Sequence, residues 1–415
     1  MRLLHTSDWH LGRSFHGVGM LEAQRGFVDQ LVAFVVSAGV DVVLIAGDVY
    51  DRALPGLDVV KLLDEALVRI TEAGARVVLT SGNHDSAIRL GFASRLLERG
   101  GVHLRTRIED LDVPVVLPLD PEQSVESGQP ADPEQPADPE QPAKGVVAIY
   151  GIPYLEPRLV ADGLGVENAS HFDVTFEAVR RIRADVERRR ALGPVYPVVL
   201  AHTFASGGIT SESERDLSIG GLGAVPLDLF EGFTYTALGH LHGRQELAPN
   251  VRYSGSPLAY SFSEANHRKG AWLLDIEPGD EAGGPGAVAV QEVTWQEHKA
   301  LAVLRGQLAE LLESPEHAWA ESAYCQVTLT DTQRPTQAME QVRSRFPDTL
   351  VLVFDPDDAG VRSKESYSRR LADARDDLDV CCGFLEHVRG RESGNAEVAA
   401  LREALEAARV AEAEL

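Results

Sequence analysis

The run Asp41-Val42-Val43-Leu44-Ile45-Ala46-Gly47-Asp48-Val49-Tyr50-Asp51 decides the fold. Its first six residues are mostly apolar and β-branched, which fits a strand buried on both faces. The run stops at a glycine, and acidic residues follow at once. The same order recurs along the chain. Leu3-Leu4 leads into Ser7-Asp8-Trp9-His10, and Arg76–Thr80 into Gly82-Asn83-His84-Asp85. Val198-Val199-Leu200 leads into Ala201-His202, and Tyr235–Leu238 into Gly239-His240-Leu241-His242. Between the first strands lie helical patterns. Apolar residues cluster over Phe27–Val36, and Val59, Leu62, Leu63, Ala66, Leu67 and Ile70 share one face. Val146–Tyr150 adds another strand, followed by a helix bearing Arg180, Arg181, Arg183, Arg188, Arg189 and Arg190. Alternating strands and helices imply a layered α/β core, in which chemistry gathers at the carboxyl ends of the strands.

Away from this core the chain changes character. Its 415 residues suggest two or three domains. Residues 118–143 contain the unit Asp-Pro-Glu-Gln three times, with seven acids and no base, and read as a disordered acidic insertion. Residues 279–286 read as a turn or linker. Beyond them, strand Cys325–Leu329, helix Gln337–Phe346 and strand Leu350–Phe354 suggest a small α+β domain over 287–358. Residues 366–415 look helical, with Val398, Leu401, Leu405 and Ala408 forming an apolar stripe that must pack on something. The first domain is expected over 1–278.

Charge and cysteine content exclude several functions. The net charge of −25 rules out a protein that coats nucleic acid with a basic surface, so binding there must come from local patches, bound cations or a partner. Cys325, Cys381 and Cys382 are too few for a disulfide framework and point to a reducing cytosol. The longest uncharged stretch, Ala191–Ser211, is broken by Pro194 and Pro197, and the N-terminus has no apolar signal core. A soluble, cytoplasmic protein without membrane partners is expected.

The five pieces at the strand ends supply Asp, Asn and His. That donor set suits Mn²⁺, Fe or Zn²⁺ rather than Ca²⁺ or Cu(I). Gly47, Gly82 and Gly239 allow sharp turns and close backbone approach. If strand alternation persists past the glycines, Asp8 with His10, and His240 with His242, each present two ligands together. Any one piece is weak, because a lone histidine beside a strand is usually structural. Five in the same context argue for a metal site.

In this order, DxH, GDxxD, GNHD, H and GHxH, the pieces resemble the calcineurin-like metallophosphoesterases. Ser7–Arg13, Tyr253-Ser254-Gly255-Ser256-Pro257-Leu258 and Ser261-Phe262-Ser263-Glu264 are similar to the SbcD nuclease family within that group. The resemblance is strong over about residues 1–275, apart from the insertion, and architectural beyond. It implies a β-sandwich flanked by helices, a capping domain and C-terminal helices that dock on an SbcC-type ATPase. It also implies homodimers and nuclease action on DNA ends, single strands and hairpins in repair and recombination.

Carried over by motif, the resemblance implies two ions, Mn²⁺ in preference to Fe or Zn²⁺. Asp8, His10, Asp48 and His242 would hold one; Asp48, Asn83, His202 and His240 the other, with Asp48 between them. Two carboxylates against two dications leave a positive centre that attracts a phosphodiester despite the overall charge. In-line attack by activated water would follow. His84 would protonate the leaving oxygen or touch the phosphate, and Asp85 beside it could orient that ring. Asp51 reads equally as a partner to the site and as a helix-start carboxylate.

Arg89, Arg95, Arg99, Arg105 and Arg107 follow His84 with one acid among them, Glu98. Arg89 and Arg95, with Arg13, are candidate DNA-phosphate contacts; a solvated helix face is the competing reading. The Arg180–Arg190 cluster contains its own acids and reads as solvated. Apolar faces at Leu57–Ile70 and Phe92–Leu97 suit either a dimer or the monomer's own core. Two other functions use the same residues differently: a stand-alone phosphodiesterase acting on small nucleotides, and a non-catalytic scaffold. Turnover of linear duplex DNA with an ATPase partner separates the first from a nuclease.

Overall fold

Val42–Ala46 forms a fully buried strand at the centre of a six-stranded sheet. The structure, a computed structural model, describes residues 1–119, 145–214, 223–279, 287–356, 377–389 and 393–413. The acidic repeats and most of the 279–286 turn lie outside the described residues.

Residues Met1–Ala300 form one unit built on two sheets. In the first, β1 (Arg2–Thr6), β4 (Val42–Ala46), β5 (Arg76–Thr80) and β6 (Val102–Arg105) run parallel, and β13 (Gly270–Ile276) and β14 (Val288–Thr294) complete the edge antiparallel. In the second, β8 (Val146–Ile152), β9 (Val195–His202), β10 (Tyr235–Gly239) and β12 (Val251–Tyr253) run parallel. The edges β7 (Val115–Pro118) and β11 (Gln245–Ala248) are antiparallel. A hairpin of β2 (Ser14–Phe15) and β3 (Val18–Gly19) lies between β1 and the first helix.

The inner faces of the sheets share one core that includes Leu3, Leu44, Val78, Val198, Leu200, Ala237 and Leu274. Helices α1 (Leu21–Ala38) and α2 (Leu57–Glu72) bury Phe27, Leu31 and Val35, and Leu62, Leu63, Ala66 and Ile70. Two short helices, α3 (Ala87–Leu90) and α4 (Ser94–Leu97), precede β6. α5 (Pro157–Leu164) and α6 (His171–Arg190) follow β8, and α6 buries Val174, Ala178, Val179, Ile182 and Val186. Its arginines pair at helical spacing with the helix's own acids: Arg180 and Arg181 with Glu177, Arg188 and Arg189 with Asp185, and Arg190 with Glu187. The expected layered α/β sandwich is therefore present, and the arginine cluster is internally compensated.

Leu301–Leu415 form the second unit. Its strands β15 (Leu301–Gly306), β16 (Tyr324–Leu329) and β17 (Thr349–Phe354) are all parallel, and α7 (Leu308–Glu313) and α8 (Ala338–Arg345) lie between them in sequence. Ala302, Leu304, Leu311, Val327, Leu329, Val342 and Phe346 form its core. Helices α9 (Asp377–Arg389) and α10 (Asn395–Ala413) contact each other. One boundary differs from the sequence reading. Val288–Thr294, expected to open the capping domain, pairs with β13 along its length and belongs to the first sheet. Its alternating, half-exposed pattern is that of an edge strand. Among the described residues no helix is long and apolar enough to cross a membrane.

Candidate metal centre

The parallel strands of both sheets end at one rim, and there the motif residues meet. The loops after β1 and β4 are joined by their backbones: Asp8 N–H donates to the Gly47 carbonyl at 3.1 Å and His10 N–H to the Asp48 carbonyl at 2.9 Å. The second sheet reaches the same place through His202, whose Nδ1 lies 3.0 Å from the Ala46 carbonyl oxygen.

The motif residues do not converge by strand alternation. β1 ends at Thr6 and β10 at Gly239, and Asp8, His10, Asp48 and His240 all have left-handed backbones, with φ of 54°, 43°, 48° and 113°. Such conformations cost free energy outside glycine and gather where function over-determines the chain. His240 and His242 accordingly face different groups. The His240 ring lies 5.5 Å from that of His202, and the His242 ring 4.9 Å from that of His10. Gly47, at φ 83°, leaves no room for a side chain: a Cβ would lie 2.3 Å from the His202 ring. At Gly82 a Cβ would lie 2.1 Å from Asp48 Oδ1, so the requirement there is space.

Donor atoms crowd together at this rim. His10 Nε2 and His242 Nε2 face each other at 3.0 Å, and His202 Nε2 lies 2.9 Å from Asn83 Oδ1. Asp48 Oδ2 lies 3.6 Å from His10 Nε2 and 3.5 Å from His202 Nε2, between the two groups. Within Asp8–His10–His242 and within Asp8–Asp48–His202, donor atoms lie within 4.8 Å of one another. Asp8, His10, Asp48, His202, His240 and His242 are all buried. Imidazole nitrogens and carboxylates brought together at buried positions fit a shared cation, because unpaired buried charges are costly. The residues present therefore suit divalent ions.

Burial and mutual charge shift these groups in opposite directions. Burial pushes Asp8 up to about 6, against the pull of His202 and His242. Burial also acts to raise Asp48, but the surrounding histidines outweigh it and hold Asp48 well below the usual carboxylate range. Burial disfavours protonation of His202, yet Asp48's charge and hydrogen bond raise it. His240 is lowered to about 3, first by burial and then by His202.

The Asp85 carboxylate accepts the backbone N–H groups of Gly82, Val49 and Tyr50, tying the loop after β5 to the loop after β4. His84 Nδ1 donates to the Asp51 carbonyl at 2.9 Å, and the His84 backbone N–H donates to Asp48 Oδ1 at 2.8 Å. Asp51 belongs to the site and caps no helix, since α2 begins at Leu57 after Gly56. The Asp51 carboxylate lies 3.7 Å from His10 Nδ1.

Arg13 lies against the site's own groups. It donates to the Ser213 carbonyl, stacks over the Tyr260 ring, lies 3.8 Å from the Asp51 carboxylate and is half-buried. Arg105 is likewise buried and paired with Glu98. Arg89 and Arg95 remain exposed on α3 and α4, beside the exposed Ile88, Phe92 and Leu96. The buried face of α2 belongs to the monomer core, while Leu57 and Val60 are exposed.

Sequence reasoning misses the residues that hold the ligands. Gln24 on α1 donates to the His10 carbonyl at 2.8 Å, and Tyr260 O–H to the Trp9 carbonyl at 2.6 Å. Glu214 accepts the His242 backbone N–H at 2.7 Å. Glu264 falls inside one of the family motifs, where sequence gives it no role, and it sits 3.3 Å from His242 Nδ1. Their only signal is polar residues at buried positions, which is visible once the fold is known.

Comparisons with known proteins agree with this geometry. Residues 1–121 match the family model of calcineurin-like phosphoesterases, and residues 297–389 match a model described as the type 5 capsule protein repressor C-terminal domain. The chain is 26% identical to SbcD, a subunit of the nuclease SbcCD, from Staphylococcus epidermidis, over 94% of this chain and 93% of that protein. It is 27% identical to the subunit of the same name from Staphylococcus saprophyticus, over 85% and 84%. A solved structure, TT1561 of Thermus thermophilus, covers 70% of this chain and 98% of its own at 13% identity, with a TM-score of 0.36, too slight a likeness to carry weight.

Proposed function

We propose that this chain, which carries a calcineurin-like phosphoesterase domain and resembles the SbcD subunit of the SbcCD nuclease, is a metal-dependent DNA nuclease that hydrolyses phosphodiesters as part of an SbcCD-type complex. The observation that carries the reading is the convergence of the buried Asp8, His10, Asp48, His202, His240 and His242 and the half-buried Asn83 at the meeting of two sheets. Asp8, His10 and His242, with Asp48, hold one divalent ion; Asn83, His202 and His240, with Asp48, hold the second. Mn²⁺ is the favoured ion, and the donors also accept Fe or Zn²⁺. When bound, such a pair activates water for in-line attack and offsets charge on the phosphoryl oxygens.

The chain's own groups do the rest. Asp48 lies between the two histidine groups and fixes their separation. The Asp51 carbonyl holds His84 Nδ1, so the ring turns its Nε2 toward Asp48, 4.0 Å away, where it can pass a proton to the leaving oxygen. Asp85 supports this indirectly by fixing the loop that carries Asn83 and His84. Arg89 and Arg95 guide the DNA backbone from the surface beyond His84.

Substrates are duplex ends, single strands and hairpins, and the setting is repair and recombination in the cytoplasm. The partners are an SbcC-type ATPase, docked on the helices of 366–415, and a second copy of the chain. The second unit's sheet, with a start later than 287, serves as the capping domain. Degradation of linear duplex DNA with Mn²⁺ and the ATPase partner tests the reading, with Asp48→Ala as control. DNA degradation abolished by Asp48→Ala supports it; equal degradation by wild type and Asp48→Ala refutes it.

A further inference from the structure

The histidines of the site rest on unlike partners through their outer nitrogens. His202 Nδ1 hydrogen-bonds a neutral group, the Ala46 carbonyl, at 3.0 Å, with Asp8 Oδ1 farther off at 4.0 Å. On the other side His242 has a carboxylate hydrogen-bonded behind it, Glu264 at 3.3 Å from His242 Nδ1, while Asp51 lies 3.7 Å from His10 Nδ1, beyond hydrogen-bond reach. Ser213 strengthens the Glu264 contact. Its Oγ lies 2.6 Å from His242 Nδ1 and donates its own proton to Glu264 Oε1, so that N–H, hydroxyl and carboxylate form a relay.

Glu264 is 1% exposed and belongs to the core beneath the site. Lys269, 5% exposed, pairs with its Oε2. The same ammonium donates to the His242 carbonyl and to Ser256 Oγ, each at 2.9 Å, which uses all three of its hydrogens. Taking two charges out of water is costly, and apolar residues of equal volume often stabilise a core as well. Stability therefore does not explain the pair. A carboxylate behind a metal-binding imidazole does: it fixes the proton on Nδ1, turns the Nε2 lone pair toward the ion and makes that nitrogen a stronger donor.

We propose that Glu264 is a positioning residue for His242, and that its charge makes the His10–His242 side the tighter of the two ion sites. Lys269 supplies the counter-charge that lets Glu264 occupy the core, and Ser213 carries the contact. The ion on the His202–Asn83 side is the exchangeable one. This rests on the two-ion reading above and concerns the order in which the ions bind.

The test is calorimetric titration of the full chain with Mn²⁺, with anomalous diffraction from crystals at limiting Mn²⁺ to assign each site. Wild type should bind two ions of unequal affinity, with the His10–His242 side filled first. Glu264→Gln keeps the shape and an accepting oxygen but removes the charge. It should weaken the tight ion about 10- to 100-fold and leave the other within about threefold. Because Gln strands the Lys269 ammonium, the double variant Glu264→Gln, Lys269→Met serves as a second arm; it should fold and show the same selective loss. Unchanged affinities in Glu264→Gln, equal weakening of both ions, or wild-type affinity in the double variant would overturn the assignment while leaving the two-ion reading intact. A wild-type chain that binds no ion would overturn both.

Discussion

The floor of the metal centre and the helical surface beginning at Ala87 lie a few residues apart in sequence and are built on opposite terms. On the floor most polar groups are buried or half-buried and held by another: Asp8 by Ser7 and the His240 backbone, Asp85 by three N–H groups, His10 by Gln24 through its carbonyl. Over α3, α4 and the turn between them, Ile88, Phe92 and Leu96 are 89%, 81% and 69% exposed beside the exposed Arg89 and Arg95. The floor dictates residue type at each position, and the surface dictates only character. Burial thus decides which functional assignments a sequence can carry. It also explains why Arg13, which looks in sequence like Arg89 and Arg95, belongs to the floor.

The largest effect is expected at the floor's edge. His84→Ala should lower DNA cleavage by about 10²- to 10⁴-fold while leaving ion content unchanged, measured by turnover and by plasma emission on the same sample. Near-normal turnover would remove His84 from the proton transfer. Asp85→Ala comes next. It leaves three backbone N–H groups without their acceptor, so about 3 kcal/mol or more of stability should be lost. A melting temperature equal to wild type, with activity lost, would instead give Asp85 a role on the His84 ring.

The arginines give a smaller and more selective effect. Neutralising Arg89 and Arg95 together should reduce the slope of log binding against log salt by about 1.8, with melting unchanged. Arg13→Ala should do the reverse, lowering the melting temperature and leaving the slope alone. If Arg13 shifts the slope and the pair does not, the division between floor and surface is wrong.

The smallest effect tests the core under the floor. His5 is buried between Tyr235 O–H and the Leu238 carbonyl, and burial lowers its pKa to about 3 from a usual 6.5. Below 6.5 the unfolded chain takes up a proton that the folded chain refuses. This contribution is therefore complete above 6.5 and is lost progressively as the pH falls toward about 3. His5→Phe should flatten the fall of melting temperature between pH 6.5 and 4; an unchanged acid limb would contradict the assignment.

The same division accounts for what is legible in the sequence. The strands of the sandwich core can be read because buried parallel strands are continuous apolar runs, as at Val42–Ala46. Edge strands such as Val288–Thr294 alternate weakly, and this one reads in sequence as part of the wrong unit. The seven donor residues stand out because metal chemistry restricts them to a few types directly after strands. Their convergence does not follow from alternation, since left-handed backbones at Asp8, His10, Asp48 and His240 turn them inward. Gln24, Tyr260, Glu214 and Glu264 are illegible because their roles depend on contacts between distant segments, such as the 251 positions between Trp9 and Tyr260.

Anomalous diffraction from crystals saturated with Mn²⁺ tests the central claim most directly. The account predicts two peaks about 3.5–4 Å apart, with an Asp48 oxygen reaching both, His10 and His242 on one, and Asn83 and His202 on the other. A single peak, or peaks away from these side chains, would contradict it.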